Sequence, residues 1–284
     1  MNLIRTQLAV RPARMADQSS IANLMYFEPH VHRHLDWRGP LDWLGVPEYW
    51  VLEQDGTLEG ALACPPDPEG VSWLRLFAHS SDVPEVIAWN MLWGHARSTL
   101  QGSGLVVAAI TTADWFSTLL TESAFDQKQQ IVVLEHAISN FVQRPIPFNV
   151  ELRSMTERDL ADVCDVDKSG FSPLWRNSRS AIRSGFMQSG FATVATINDE
   201  IVGYQISTRN SFGVHLARLA VSSHFQGRGI GYYLVQDLML KCQRVGLHRL
   251  TVNTQNDNST SLALYKKIGF ELTGERYKVF TFQL

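Results

Sequence analysis

The chain repeats itself weakly at a spacing of about 143 residues, and this limits what it can fold into more than any other feature. Arg11-Pro12-Ala13-Arg14-Met15-Ala16-Asp17 returns as Arg153-Ser154-Met155-Thr156-Glu157-Arg158-Asp159. The turn Asp55-Gly56-Thr57-Leu58-Glu59-Gly60 corresponds to Asn198-Asp199-Glu200-Ile201-Val202-Gly203, and Trp73-Leu74-Arg75-Leu76 to Leu216-Ala217-Arg218-Leu219. Three matches in one order at one spacing predict two copies of a single supersecondary plan. The prolines of Gln143-Arg144-Pro145-Ile146-Pro147 resist both helix and central strand, so the expected halves are residues 1–142 and 149–284 with a joint at 143–148.

Periodicity gives each half the same α+β content. In the second half, strands are expected at 150–154, 191–197, 201–208, 214–221, 249–253, 271–273 and 277–282. Helices are expected from Thr156 to Val166, from Trp175 to Ser184, from Gly229 to Val245 and from Ser259 to Ile268. Thr156-x-x-Asp159 has the form of a capping box with a shortened acid. Ile230, Leu234 and Leu238 place an apolar stripe on the third helix. In the first half, strands are expected near Trp50, Ala61, Leu74, Val106 and Val132, with a long helix starting at Pro84. Each half is thus predicted to be a twisted mixed sheet flanked by helices.

Composition narrows the function. The 45% hydrophobic content supports a packed core, and the formal net charge of −3 argues against a general nucleic-acid partner. Cys64, Cys164 and Cys242 are too scattered for a disulfide framework or a structural zinc site, so a reducing, cytoplasmic compartment is expected. No secretory leader is expected at Met1-Asn2-Leu3-Ile4-Arg5, and no membrane span anywhere.

The residues that carry chemistry are Gln226-Gly227-Arg228-Gly229-Ile230-Gly231, set between an expected strand and an expected helix. Glycines allow close backbone approach to a bulky anion, and the helix start offers unpaired N–H groups and a positive dipole end. A nucleotide P-loop would need Gly-Lys-Ser/Thr here, and a dinucleotide fingerprint would need Gly-x-Gly-x-x-Gly; neither fits. An acyl-CoA diphosphate or a ligand-free turn remain.

With the second motif, Asn258-x-x-Ser261-x-x-Leu264-Tyr265-x-x-x-Gly269-Phe270, the second half resembles the GNAT superfamily of N-acetyltransferases. The resemblance implies an acetyl-CoA-dependent enzyme in which Gln226, Gly227, Arg228, Gly229, Ile230 and Gly231 bind the pyrophosphate. It implies that Leu219, Ala220 and Val221 pair with the pantetheine arm, with Asn258 on its amides. Tyr265 stands where the family keeps the tyrosine that protonates the leaving thiolate. His215 stands where many members carry a general-base glutamate. The acceptor is expected to be a primary amine, on a small molecule or at a peptide N-terminus, held near Asp165, Asp167, Phe171, Trp175 and Glu275. A non-catalytic acyl-CoA sensor is the alternative; the oligomeric state is left open.

The first half has no counterpart of the loop. At the 143-residue spacing Gly227 and Arg228 fall on Pro84 and Glu85, and Leu120 stands opposite Tyr265. It is expected to keep the fold without catalysis. It also holds seven of the eight tryptophans and the run His30-Val31-His32-Arg33-His34, which is read as a polar loop; no metal is expected.

Overall fold

The computed structural model describes residues 7–138, 141, 143–147 and 149–284. The N-terminal residues weighed above for a leader, and parts of the expected joint at 143–148, lie outside them. The chain forms two compact units. One comprises the chain up to Lys128 together with Lys278–Leu284; the other is Gln129–Tyr277. Both the C-terminal residues and the strand around residue 130 therefore belong to the unit built mainly from the other half of the sequence.

The first unit runs β1 (Ala9–Pro12), α1 (Gln18–Phe27), β2 (Val31–Arg33), β3 (Tyr49–Gln54), β4 (Thr57–Ala63), β5 (Val71–Trp73), β6 (Leu76–His79), α2 (Glu85–Leu100), β7 (Val106–Thr111), α3 (Asp114–Glu122) and the start of β8 (Asp126–Ala137). Its five-stranded sheet has the order β1-β3-β4-β6-β2. Strand alternation sorts the core onto the two faces. Tyr49, Val51, Ala61 and Ala63 pack with Ile21 and Leu24 of α1, whereas Trp50, Leu52 and Leu62 pack with Trp89, Leu92 and Trp93 of α2. Separately, β5 pairs in parallel with β7, and Lys278–Gln283 pair antiparallel with β7. Two expectations resolve differently: Leu74, expected within a strand, sits between β5 and β6, and the two strands expected at 271–273 and 277–282 are one continuous strand.

The second unit runs through β9 (Glu151–Ser154), α4 (Leu160–Gly170), α5 (Arg179–Met187), β10 (Phe191–Ile197), β11 (Glu200–Asn210), β12 (Gly213–Val221), α6 (Ile230–Arg244), β13 (Arg249–Gln255), α7 (Ser259–Ile268) and the part of β14 (Glu271–Gln283) up to Tyr277. Its strands pair in the order β9-β10-β11-β12-β13, and β13 pairs with residues 131–137 of β8. The stripe on α6 is buried at Ile230, Leu234 and Leu238, and Lys241 and Arg244 end the helix where cations complement its dipole.

The expected helix from Trp175 is corrected. Residues Pro173–Trp175 form a single 3-10 turn, and α5 begins at Arg179, with the Ser178 hydroxyl accepting from the Ala181 N–H at 3.1 Å. The intervening chain is held extended. Asn177 N–H donates to Asp167 Oδ1 at 2.9 Å, and Arg218 Nη2 donates to the Trp175 carbonyl at 2.6 Å.

Candidate active site

The site is built on β12. On one side β12 pairs antiparallel with β11, with Ala217 bulged between the pairs Ile206–Arg218 and Ser207–Leu216. A bulge adds twist and re-aims the strand. On its other side β12 pairs in parallel with β13 only from Val214 to Leu216, opposite Leu250 to Val252. Beyond Leu216 the strands part: Asn253–Gln255 pair with β8 alone. Among the described residues no strand pairs with Leu219, Ala220 and Val221 on that edge.

The turn after β12 leads into α6. Ser222 N–H donates to Val202 O and Phe225 N–H to Ser222 O. The amides of Gln226, Gly227, Arg228, Gly229, Ile230 and Gly231 then have no acceptor among the described residues. Gly227 (φ +76°) and Gly229 (φ +83°) are left-handed, a conformation L side chains avoid. A side chain at Gly227 would meet nothing within 4 Å, so the loop faces open space there, whereas one at Gly231 would come within 3.2 Å of Leu264. Gln226 Nε2 donates back to Val221 O at 3.1 Å, and the Arg228 guanidinium lies 5.0 Å from the Phe225 ring centroid. The result is a row of amides without acceptors at a helix N-terminus, exposed over residues 226–229, next to an open strand edge, which fits an extended ligand with an anionic end.

His215 lies one residue before the strands part. Its Nδ1 is 3.0 Å from Thr251 Oγ1. Burial lowers its pKa, and a hydrogen bond with Asn253 partly offsets this. Tyr265, in α7, is buried against Phe270 with ring centroids 5.4 Å apart. Burial raises the phenol pKa above its ordinary value, so it stays protonated. Asn258 caps α7: its Oδ1 accepts from Ser261 N–H at 3.1 Å and its Nδ2 donates to Gln255 Oε1 at 3.2 Å.

Three of the expected acceptor-site residues meet around Arg218. Its Nε lies 2.8 Å and its Nη2 2.7 Å from Asp167 Oδ2, and its Cζ is 3.5 Å from the Phe171 ring centroid. Trp175 supplies the carbonyl already noted. With the Gln129 amide turned so that its oxygen faces the indole, Trp175 Nε1 donates to it at 2.7 Å. The Asp167 carboxylate is fully buried, and Tyr204 Oη donates to it at 2.5 Å. Both its oxygens are therefore occupied from within, which removes Asp167 as a holder of an incoming ammonium. Asp165 is exposed on α4 and Glu275, also exposed, accepts from Tyr277 Oη at 2.8 Å; neither joins this cluster. Sequence reasoning missed Arg218 and Tyr204 as its organisers. The repeat at Arg75 and Arg218 was the available signal.

Comparison with known proteins adds the missing premise. A model of the acetyltransferase (GNAT) family matches residues 160–270, which run from α4 through α7. The peptidyl-lysine N-acetyltransferase YjaB of Salmonella typhimurium is 30% identical over 111 residues, covering 39% of this chain and 70% of that protein. The chain belongs to the GNAT acetyltransferase family. An uncharacterised N-acetyltransferase of Bacillus subtilis, YvbK, is 28% identical over 88 residues, and the match spans 57% of its length. The tandem GNAT protein from the clavulanic acid biosynthesis pathway shares the fold over 98% of both chains, with a TM-score of 0.64 at 14% identity. The fold is thus the tandem GNAT arrangement over nearly the whole chain, while the family match lies in the second half. Among the described residues no helix is long and apolar enough to cross a membrane.

Proposed function

We propose that the second half transfers the acetyl group of acetyl-CoA to a primary amine by direct attack on the thioester. One observation carries this reading: the unpaired amides of 226–231 adjoin the strand edge of 219–221 that β13 leaves open. In this reading the amides and the α6 dipole hold the diphosphate, and the edge of Leu219, Ala220 and Val221 receives the pantetheine amides as an added strand. Asn258 lies at the same end of the sheet, beside Gln255. When bound, acetyl-CoA supplies an acetyl group activated as a thioester.

The chain's own groups handle the protons. His215, kept neutral by burial, accepts a proton from the amine nitrogen. Tyr265 keeps its hydroxyl proton to well above neutral pH and supplies it to the departing sulfur, so that no bare thiolate leaves. The Arg218–Asp167–Tyr204 cluster fixes the 171–177 segment, which gives the amine pocket a wall from Phe171 and Trp175. The acceptor is a primary amine on a small molecule or a peptide; the peptidyl-lysine activity named for YjaB makes lysine-containing peptides the first panel to test.

The test combines calorimetry of the full chain with CoA and thiol release from acetyl-CoA across a panel of amines. CoA uptake with amine-dependent thiol release is expected. CoA uptake without release on any amine would leave an acyl-CoA sensor in place of the enzyme, and no uptake would remove the site.

A further inference from the structure

The run of histidines in the first half is not a polar loop. Val31–Arg33 form β2, and the three histidines take different roles. His32 is buried, stacked on Phe116 at 4.1 Å, with Nε2 3.0 Å from Leu74 O; burial pushes its pKa down to about 4. His34 is stacked on Trp73 at 4.7 Å. His30 instead faces His79, at the end of β6, and Glu85, in the first turn of α2. Its ring is 5.6 Å from that of His79, and its Nδ1 is 3.5 Å from Glu85 Oε2. One ligand atom from each of these three residues lies within 4.8 Å of the other two.

A second observation concerns His79. It is only 4% exposed. Its Nδ1 lies 2.8 Å from the Ser80 carbonyl, to which it donates. That bond fixes the tautomer and leaves the lone pair on Nε2, a buried nitrogen with no hydrogen-bond partner among the described residues. A buried acceptor without a donor is costly, and a backbone carbonyl holding Nδ1–H is the arrangement that orients metal-binding histidines. Among the described residues no lysine or arginine pairs with Glu85.

We propose that His30, His79 and Glu85 form a divalent transition-metal site, with zinc as the best-suited ion. Two imidazoles and one carboxylate are a borderline-soft donor set. Ligands at about 2.0–2.2 Å in a tetrahedron are about 3.3–3.5 Å apart, so the three groups need to close by about an ångström, and a fourth position stays open to solvent. Trp115, 5.1 Å from His30, and Phe77, 5.9 Å from His79, supply an apolar wall. The ion would tie β2 to β6 and to the first turn of α2.

The test is a titration of chelator-treated full-length protein with Zn(II), followed by calorimetry, and with Co(II), followed by its visible absorption. The expected result is one Zn(II) per chain, a tetrahedral Co(II) spectrum displaced by Zn(II), and a rise in Tm. His30→Ala and Glu85→Ala, both at partly exposed side chains, should each weaken binding by at least ~10-fold. His95→Ala, an exposed histidine elsewhere on α2, should leave it unchanged. Absence of Zn(II) binding, or binding that survives both His30→Ala and Glu85→Ala, would overturn the proposal.

Discussion

The two halves build the same corner and end it differently. In both, a strand pairs in parallel with its neighbour for three residues: Val71–Trp73 with Val106–Ala108, and Val214–Leu216 with Leu250–Val252. In both, an arginine follows. Arg75 is buried, ion-paired with Asp36 and 4.9 Å from the Trp43 ring; Arg218 pairs with Asp167 over Phe171. In both, the chain then continues beside an antiparallel partner. The second half leaves the other edge of Leu219, Ala220 and Val221 open. The first half fills the same edge with its own chain, because β2 pairs with Leu76–Ala78. The turns differ likewise. After β6 the amides are already satisfied: Ser81 N–H by Glu28 Oε2, Asp82 N–H by Ser80 Oγ, Val83 N–H by Ser80 O. After β12 the N–H groups of Ser222, Ser223 and Phe225 are likewise satisfied, but those of residues 226–231 have no acceptor among the described residues. The same fold thus carries one corner with an open edge and one filled by its own chain.

That contrast can be attacked from several directions. The largest effect should come from Gly229→Asp. Aspartate tolerates a left-handed backbone better than most residues, so folding persists, but its charge opposes a diphosphate. CoA affinity by calorimetry should fall by ~10³-fold, through charge repulsion and loss of backbone approach. The converse variant, Pro84→Gly with Glu85→Ala, should gain no CoA binding, because β2 still covers the edge. A gain would break the comparison.

Next come the paired arginines. Arg218→Ala strands a fully buried carboxylate and Arg75→Ala a partly buried one, and each should cost about 3–5 kcal/mol in denaturant unfolding. A loss in only one half would show that the two arginines are not equivalent.

Tyr265→Phe should lower kcat by ~10²-fold with KM for acetyl-CoA little changed. The pH profile follows from two shifts. The pKa of His215 lies below its ordinary 6.5, so it is neutral above that pH and activity should fall only on the acid side. The pKa of Tyr265 lies above its ordinary 10.0, so no basic limb appears below pH 10. His215→Ala should remove the acid limb; a wild-type profile in that variant would take His215 out of the reaction.

The smallest pair is Asp17→Asn and Asp159→Asn. Each aspartate accepts two bonds from an arginine six residues earlier and one from a backbone N–H three residues earlier. Each substitution should cost ~1–2 kcal/mol. The Asp159 pKa is pulled down to about 2, first by its bond to Arg153. Its contribution is therefore present above the unfolded value near 3.8 and lost as pH falls towards 2.

Much of this was legible where local chemistry decides. The helix Ser259–Ile268 was read to the residue because Asn258 caps it and Gly269 ends it. The Arg11–Asp17 and Arg153–Asp159 pairs announced the repeat. The start of α5 is not local information: Arg218 and Asp167, distant in sequence, hold residues 175–177 out of helix. The three residues Val31–Arg33 carry no periodicity, and only pairing with Leu76–Ala78 makes them a strand. In the sequence Glu85 stands out only as the residue at the place of Arg228; its proximity to His30 and His79 is a product of folding alone. Nor could the sequence show that Lys278–Gln283 pair with β7.

One corner is open and its counterpart is filled from within. Hydrogen–deuterium exchange with and without CoA tests it most directly. The amides of residues 219–221 and 226–231 should slow on CoA addition, while those of 76–79 and 81–88 stay as they were. Protection in the first-half corner, or none in the second, would contradict it.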